Sequence, residues 1–247
     1  MKLPLAMMLV ALFVVAPLFS PAAEKQSPNE KVIAALKWRS IGPYLAGRVV
    51  AVAGVPSNPN LFYMGGVQSG IWKSTNYGHS WKNISDGSLP NDATSIGALA
   101  VAPSNPKIIY AGSGESDIRA DVDTGAGIYR SVDAGKTWKY AGLSDTHSSM
   151  GLTIDPRDPN TVYAASMGHV FKANSERGIF KTTDGGKTWK KILFVDDNTG
   201  AVAISMDQNH PATLYAAMWQ AQRRPWNLTS GGPGSGLYKS TDSGSHW

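Results

Sequence analysis

The sequence predicts an all-β fold, a β-propeller of four-stranded antiparallel blades, with about four blades in its 247 residues. Three observations predict it. Four segments end alike, STNYGHSW (74–81), SVDAGKTW (131–138), TTDGGKTW (182–189) and STDSGSHW (240–247). Their closing tryptophans, Trp81, Trp138, Trp189 and Trp247, stand 57, 51 and 58 residues apart, a spacing of the size of one propeller blade. Short apolar runs between Gly, Pro, Asn and Asp clusters fill the intervals, with no sustained helical period.

Each unit reads as four strands in order. An apolar run, strand A, leads into PSNP, PSNP, PRDP or QNHP, where proline fixes φ and Asn or Asp accepts a tight bend. Strand B follows and closes on Tyr63, Tyr110, Tyr163 and Tyr215. After a variable connection comes strand C, GIWK, GIYR, GIFK or GLYK, then the closing turn and strand D. One such sheet cannot cover both of its faces, so the units must stack.

The chain opens differently. Lys2 precedes an apolar run over 3–19, and Ser20-Pro21-Ala22-Ala23 follows, the layout of an export signal cut after Ala22. The run is shorter than a membrane span and Pro17 interrupts it, so no stable span is expected after cleavage. Residues 1–22 are therefore read as signal, 23–37 as linker and 38–247 as partial propeller, exported to the periplasm, cell surface or medium. Cysteine is absent, which excludes disulfides and thiol chemistry. The net charge of +5 is spread out, with many cations at one fixed repeat position, so no nucleic-acid partner is expected.

The pattern S/T-x-D-x-G-x-T/S-W resembles the Asp-box of BNR-repeat propellers. That group includes sialidases, xyloglucan-active glycosidases, the sortilin (VPS10) ectodomain and photosystem assembly factors. WRSIGPYLAGRVVAVAGVPSNPN, from Trp38, is similar to the opening of exported bacterial proteins of the sortilin-N/BNR type. The resemblance runs from Trp38 to Trp247. It implies the fold strongly and the reaction weakly.

Asn76, Asp133, Asp184 and Asp242 are the Asp-box acids or their amide substitute. Repeated once per blade, they are spread around a ring and cannot converge on one substrate. Each is read as a structural acceptor for the N–H groups of its own turn, with the tryptophan as an apolar plate pinning the hairpin. The A-to-B turns and Asp-boxes share one rim, and the B-to-C and D-to-A connections share the other. Function is expected on the second rim.

The B-to-C connections there supply the candidates. Glu115 and Asp117 are the available carboxylates for a glycosidase, with Arg119 as cationic partner. His169 sits in the third connection, and Trp219, Arg223, Arg224 and Trp226 in the fourth, suited to stacking on a sugar or gripping a carboxylate. Arg48, at the start of the innermost strand, is a further ligand candidate at the central channel. Asp117, Asp121 and Asp123 lack EF-hand spacing, so neither metal nor cofactor is called for.

Two departures bear on the enzyme families. Trp38-Arg39-Ser40-Ile41-Gly42-Pro43 carries insertions relative to the sialidase Arg-Ile-Pro motif. Gly66-Val67-Gln68-Ser69-Gly70 stands where the xyloglucan-active relatives carry an acid in a Thr-Asp-Ile-Gly-Gly-like segment. The leading expectation is thus an exported module binding a protein, peptide or glycan through its long loops. Glycoside hydrolysis and a scaffold role are the alternatives. Because the fourth unit ends at Trp247, before strand D, the sequence reads as part of a larger propeller whose further C-terminal blades pack on it.

Overall fold

A computed structural model describes residues 47–247. The signal, the linker and the segment from Trp38 to Pro43 lie outside the described residues.

Four antiparallel sheets follow the chain order. Blade one is β1 (Val49–Gly54), β2 (Phe62–Gly66), β3 (Gly70–Ser74) and β4 (Lys82–Asn83). Blade two is β5 (Ile96–Val101), β6 (Ile109–Ser113), β7 (Ile128–Ser131) and β8 (Lys139–Tyr140). Blade three is β9 (Ser149–Ile154), β10 (Val162–Ser166), β11 (Gly178–Thr182) and β12 (Lys190–Leu193). The first three sheets are ordered as their strands occur, each strand pairing with the next. The innermost strands β1, β5 and β9, joined by β13 of blade four, stand side by side and line an open trough of about 320 Å³.

Blade four corrects one expectation. Its B-to-C connection, read from sequence as a long loop, is a β-hairpin. Strand β13 (Thr199–Met206) pairs with β14, which runs unbroken over Leu214–Arg224. The chain turns at Pro225 and Trp226 and returns as β15 (Asn227–Ser230), with Arg224 opposite Asn227 and Ala221 opposite Ser230. Strand β16 (Gly236–Ser240) then takes up the lower half of β14. The fourth strand of this sheet therefore comes from the hairpin. A charged Arg-Arg-Pro tip hides the pairing from a reading of local polarity, because the ladder depends on residues across the turn.

Each Asp-box acid or amide accepts hydrogen bonds from its own turn. Asp133 Oδ1 accepts the N–H groups of Lys136 and Thr137 at 2.9 Å, and its Oδ2 takes the Thr137 hydroxyl at 2.7 Å. Asp184 repeats this with Thr188, and Asp242 with the N–H and ring of His246. Asn76 accepts Ser80 N–H through its oxygen and donates its amide to the Ser80 hydroxyl. Each box is tied to the A-to-B turn of its own blade, for example by Ala134 N–H to Lys107 O and Gly185 N–H to Asn160 O. That places both turns on one rim.

The tryptophan does more than pin its own hairpin. Trp138 Nε1 donates to Ile84 O at 3.2 Å and Trp189 Nε1 to Ala141 O at 2.7 Å, in each case a carbonyl just after strand D of the preceding blade. Trp247 packs against the cluster that Ile192 also borders, with its indole N–H left unpaired. The Asp-box glycine permits this approach. At Gly135 (φ +85°) a Cβ would stand 2.4 Å from Ile84 Cδ1, and at Gly186 (φ +92°) 2.6 Å from Ala141 O. Only a residue without a side chain meets both the dihedral and the contact.

The fixed basic position also finds its reason. Lys73, Arg130, Lys181 and Lys239 lie directly across the ladder from Tyr63, Tyr110, Tyr163 and Tyr215, with the cation 5.2 to 5.6 Å from the ring centre. Lys73 and Lys181 then reach the next blade, donating to Ala134 O and Ser243 O of its Asp-box. The Tyr110 and Tyr163 hydroxyls likewise reach the next blade, donating to Pro159 O and Ser243 O. Burial pushes the Tyr110 phenol up to about 12. Apolar clusters fill the seams, so the core lies between blades. On the outward face of blade four, Leu237 is 76% exposed, whereas its counterparts Ile71, Ile128 and Ile179 are fully buried.

Hydrogen bonds from the turn hold the Asp-box carboxyls below the usual range. The Thr137 N–H is the largest influence on Asp133, which falls to about 2; the Thr188 hydroxyl leads for Asp184, and the His246 N–H for Asp242. Their folded values lie below the unfolded value of about 3.9, so this stabilisation is present above pH ~4 and is lost as pH falls through the folded values. The Asp-box contribution to thermal stability is expected to hold steady from pH 7 to 5 and to fall below pH ~4. Since Asn76 serves in blade one, Asp184→Asn should melt close to the parent, and Asp184→Ala clearly lower.

Candidate functional site

The rim opposite the Asp-boxes carries the sequence candidates, and the structure sorts them. Each A–B ladder shifts register by one residue near the start of strand A, towards this rim. Such bulges re-aim the chain as it leaves the connection.

Arg48 and Glu115 meet. The Arg48 Nε and Nη2 donate to Glu115 Oε1 at 3.1 and 2.6 Å. Glu115 is wholly buried while the Arg48 side chain is 40% exposed. The second carboxylate oxygen accepts Asp123 N–H at 3.3 Å. Asp123 in turn takes the Ser95 hydroxyl, whose oxygen accepts Gln68 N–H at 2.8 Å. This network joins blade one to blade two. Arg48 is tied to Glu115 with part of its side chain still exposed, and Glu115 is sealed and paired rather than open to a cleft. A buried charge is tolerable only when paired and hydrogen-bonded, and a sequence reading had no view of a partner 67 residues away.

Asp117 and Arg119 are exposed, and Arg119 turns to Asp121 at 3.2 Å. Glu115 and Asp117 therefore occupy different surroundings, one sealed and one solvated. Among the described residues no three His, Cys, Asp or Glu side chains group as a metal site.

The remaining candidates lie around blades three and four. Trp219 is half-buried against a cluster of Met167, Val170 and Ala221 beneath the rim, so its indole packs rather than projects. Trp226, at the hairpin tip, is 79% exposed, with Arg224 exposed beside it and Arg223 half-buried. The hairpin is fastened to the third connection: Arg223 N–H donates to Val170 O at 2.8 Å and Gln222 Nε2 to Phe171 O at 3.2 Å. Phe171, itself partly exposed, escaped the sequence reading because no repeat position marks it.

Beneath this junction lies Arg177, fully buried. Its Nη1 donates to Asn198 O (2.8 Å) and Ala221 O (2.9 Å), and its Nη2 to His169 O (3.0 Å) and Lys172 O (3.2 Å). One guanidinium thus sets the positions of the third connection, the blade-three-to-four turn and the hairpin. His169 packs on His147, ring centres 3.7 Å apart.

Taken together, the sheets, the seams and the repeated turn decide the architecture. The chain is a β-propeller of four-stranded antiparallel blades. Residues 126–247 match the family described as Sortilin, neurotensin receptor 3 (Sortilin-Vps10). A xyloglucanase of Paenibacillus sp is 26% identical over 223 residues, 78% of this chain and 19% of the relative. One of Hypocrea jecorina is 26% identical over 231 residues, 82% of this chain and 25% of the relative. The solved GH74 xyloglucanase of Xanthomonas campestris superposes with a TM-score of 0.63 at 20% identity, over 85% of this chain and 31% of that one, a likeness of fold. These blades are similar to part of the glycoside-hydrolase propellers, and the chain spans a quarter or less of the curated relatives it matches. Among the described residues no helix is long and apolar enough to cross a membrane.

Proposed function

We propose that these blades belong to an exported propeller that binds a polysaccharide chain, with the blade-four hairpin as its sugar platform and a β-glucan of the xyloglucan type as ligand. The observation that carries the reading is Trp226, an exposed indole at the tip of a hairpin that Val170 and Phe171 hold in place. An indole left in water on a braced support is suited to the flat apolar face of a sugar ring. Arg224 and Gln222 on the same hairpin supply donors and an acceptor for hydroxyls. The xyloglucanase relatives support the ligand class.

Binding is favoured over cleavage within these blades. The segment Gly66–Gly70 has no carboxylate, and Glu115 is committed to Arg48. Hydrolysis by paired carboxylates needs both groups open to the same glycosidic bond. The exposed face of blade four supports a further partner. Its Tyr215, Leu237 and Lys239 match the positions that cross each internal seam, so it suits another Asp-box blade.

Titration calorimetry with xyloglucan oligosaccharides tests the reading. The parent chain is expected to bind, and Trp226→Ala to weaken binding by at least about tenfold, as removal of a central aromatic anchor does. Equal binding by parent and variant would remove the hairpin from the site. Binding of a peptide but no glycan would transfer the platform to a protein ligand.

A further inference from the structure

Two histidines at the base of the hairpin junction carry an inference that rests on the glycan reading but is tested apart from it. His147 ends the blade-two-to-three turn, and His169 lies in the third B-to-C connection. Their rings stack with centres 3.7 Å apart and planes 36° from parallel. His147 holds φ at +54°, a left-handed conformation that a non-glycine residue keeps only when its surroundings impose it. Its Nδ1 is buried with no hydrogen-bond partner. Both rings border a cavity of about 20 Å³, the scale of one water, lined also by Asp123, Thr124 and Phe171.

We infer that His147 and His169 form one proton-binding site that sets the position of the glycan-binding hairpin. The connection is direct. His169 is followed by Val170 and Phe171, and the carbonyls of those two residues receive the Arg223 N–H and the Gln222 side chain. A displacement of His169 therefore pulls on both fastenings of the hairpin. Asp145 on the turn and Glu176 on the connection are acidic neighbours that favour a proton on His169, and Asp123 borders the cavity, but burial and the stacked ring of His147 act against it. Lys172 and Arg177, on the same connection, add positive charge, the Arg177 guanidinium standing on His169 O.

The sign follows from the environment of His169. Burial is the main influence lowering its affinity for a proton, with His147 and Lys172 adding to it. Its closed-state value lies below the ordinary one of about 6.5, so a loosened loop takes up the proton first. The closed arrangement is favoured above pH ~6.5 and yields as pH falls below it.

Hydrogen exchange of the Arg223 amide, in the ligand-free chain at pH 7.5 and pH 5.0 and corrected for intrinsic rates, reads the coupling without any sugar. Protection is expected to fall by about tenfold at the lower pH, a coupling of ordinary size. The same fall should be absent in His169→Gln and in His147→Asn, asparagine being compatible with positive φ. Affinity for xyloglucan oligosaccharide should drop by a similar factor in the parent only. Equal protection at both pH values, or the same loss in the folded variants, overturns the inference. If His169→Gln does not fold, His147→Asn decides. If the amide responds while no glycan binds at either pH, the coupling stands and the glycan reading falls.

Discussion

Replacing Trp138 by alanine is expected to lower stability by about 3–5 kcal/mol, the range for removing a buried large aromatic. The side chain is buried in the seam between blades one and two, and its indole N–H is bonded to Ile84 O. Truncation opens the seam, and it also frees the strand-D backbone that the indole holds. At about 2–4 °C per kcal/mol for a chain of this size, the melting temperature should drop by roughly 6–20 °C. Trp138→Phe separates the two contributions. It keeps most of the apolar contact and loses only the hydrogen bond, so its cost should be nearer 1 kcal/mol. Differential scanning calorimetry of the two variants measures both. Equal and small effects would mean that the tryptophan decorates its own turn and does not join blades.

Arg177→Met is expected to cost about 3–5 kcal/mol, as breaking a buried charged network does. The substitution leaves four carbonyls, of His169, Lys172, Asn198 and Ala221, short of their donor. Burial lowers the affinity of the guanidinium for its proton, while Asp196 and Asp197 act in the opposite sense. The arginine is therefore a costly residue to bury, retained through its hydrogen bonds. Arg177→Lys keeps the charge but not the planar fork, and should recover only part of the loss. Because the four carbonyls belong to the elements that brace the hairpin, both variants should weaken glycan binding as well, at temperatures where they remain folded. Loss of stability with unchanged affinity would show that the hairpin is braced elsewhere.

What the sequence made legible is what the fold repeats. Asp133, Gly135 and Trp138 stand at fixed spacing because a turn, a positive φ and an indole are local requirements, met afresh in each blade. The division into two rims followed from strand order alone. The recurrent lysine or arginine of strand C was visible as a pattern, but its partner was not, since the tyrosine it faces belongs to a strand that only the ladder brings alongside.

The site was less legible for the same reason. Glu115 reads as a solvated carboxylate until Arg48, 67 residues earlier, is placed against it. Trp219 and Trp226 look alike in sequence, seven residues apart, yet one packs under the rim and the other projects from a hairpin tip. Arg177 looks like any charged loop residue, and only the convergence of four backbone carbonyls reveals it as a strut. Nothing local marks His147 and His169 as neighbours.

On the proposed function, the Asp-box rim builds the molecule and the opposite rim meets its ligand. Amide hydrogen exchange across the chain, with and without saturating xyloglucan oligosaccharide, tests it most directly. Added protection is expected in residues 168–172 and 220–230, with the turns at 131–138, 182–189 and 240–247 unchanged. Protection gathered at those turns, with the hairpin unaffected, would contradict it.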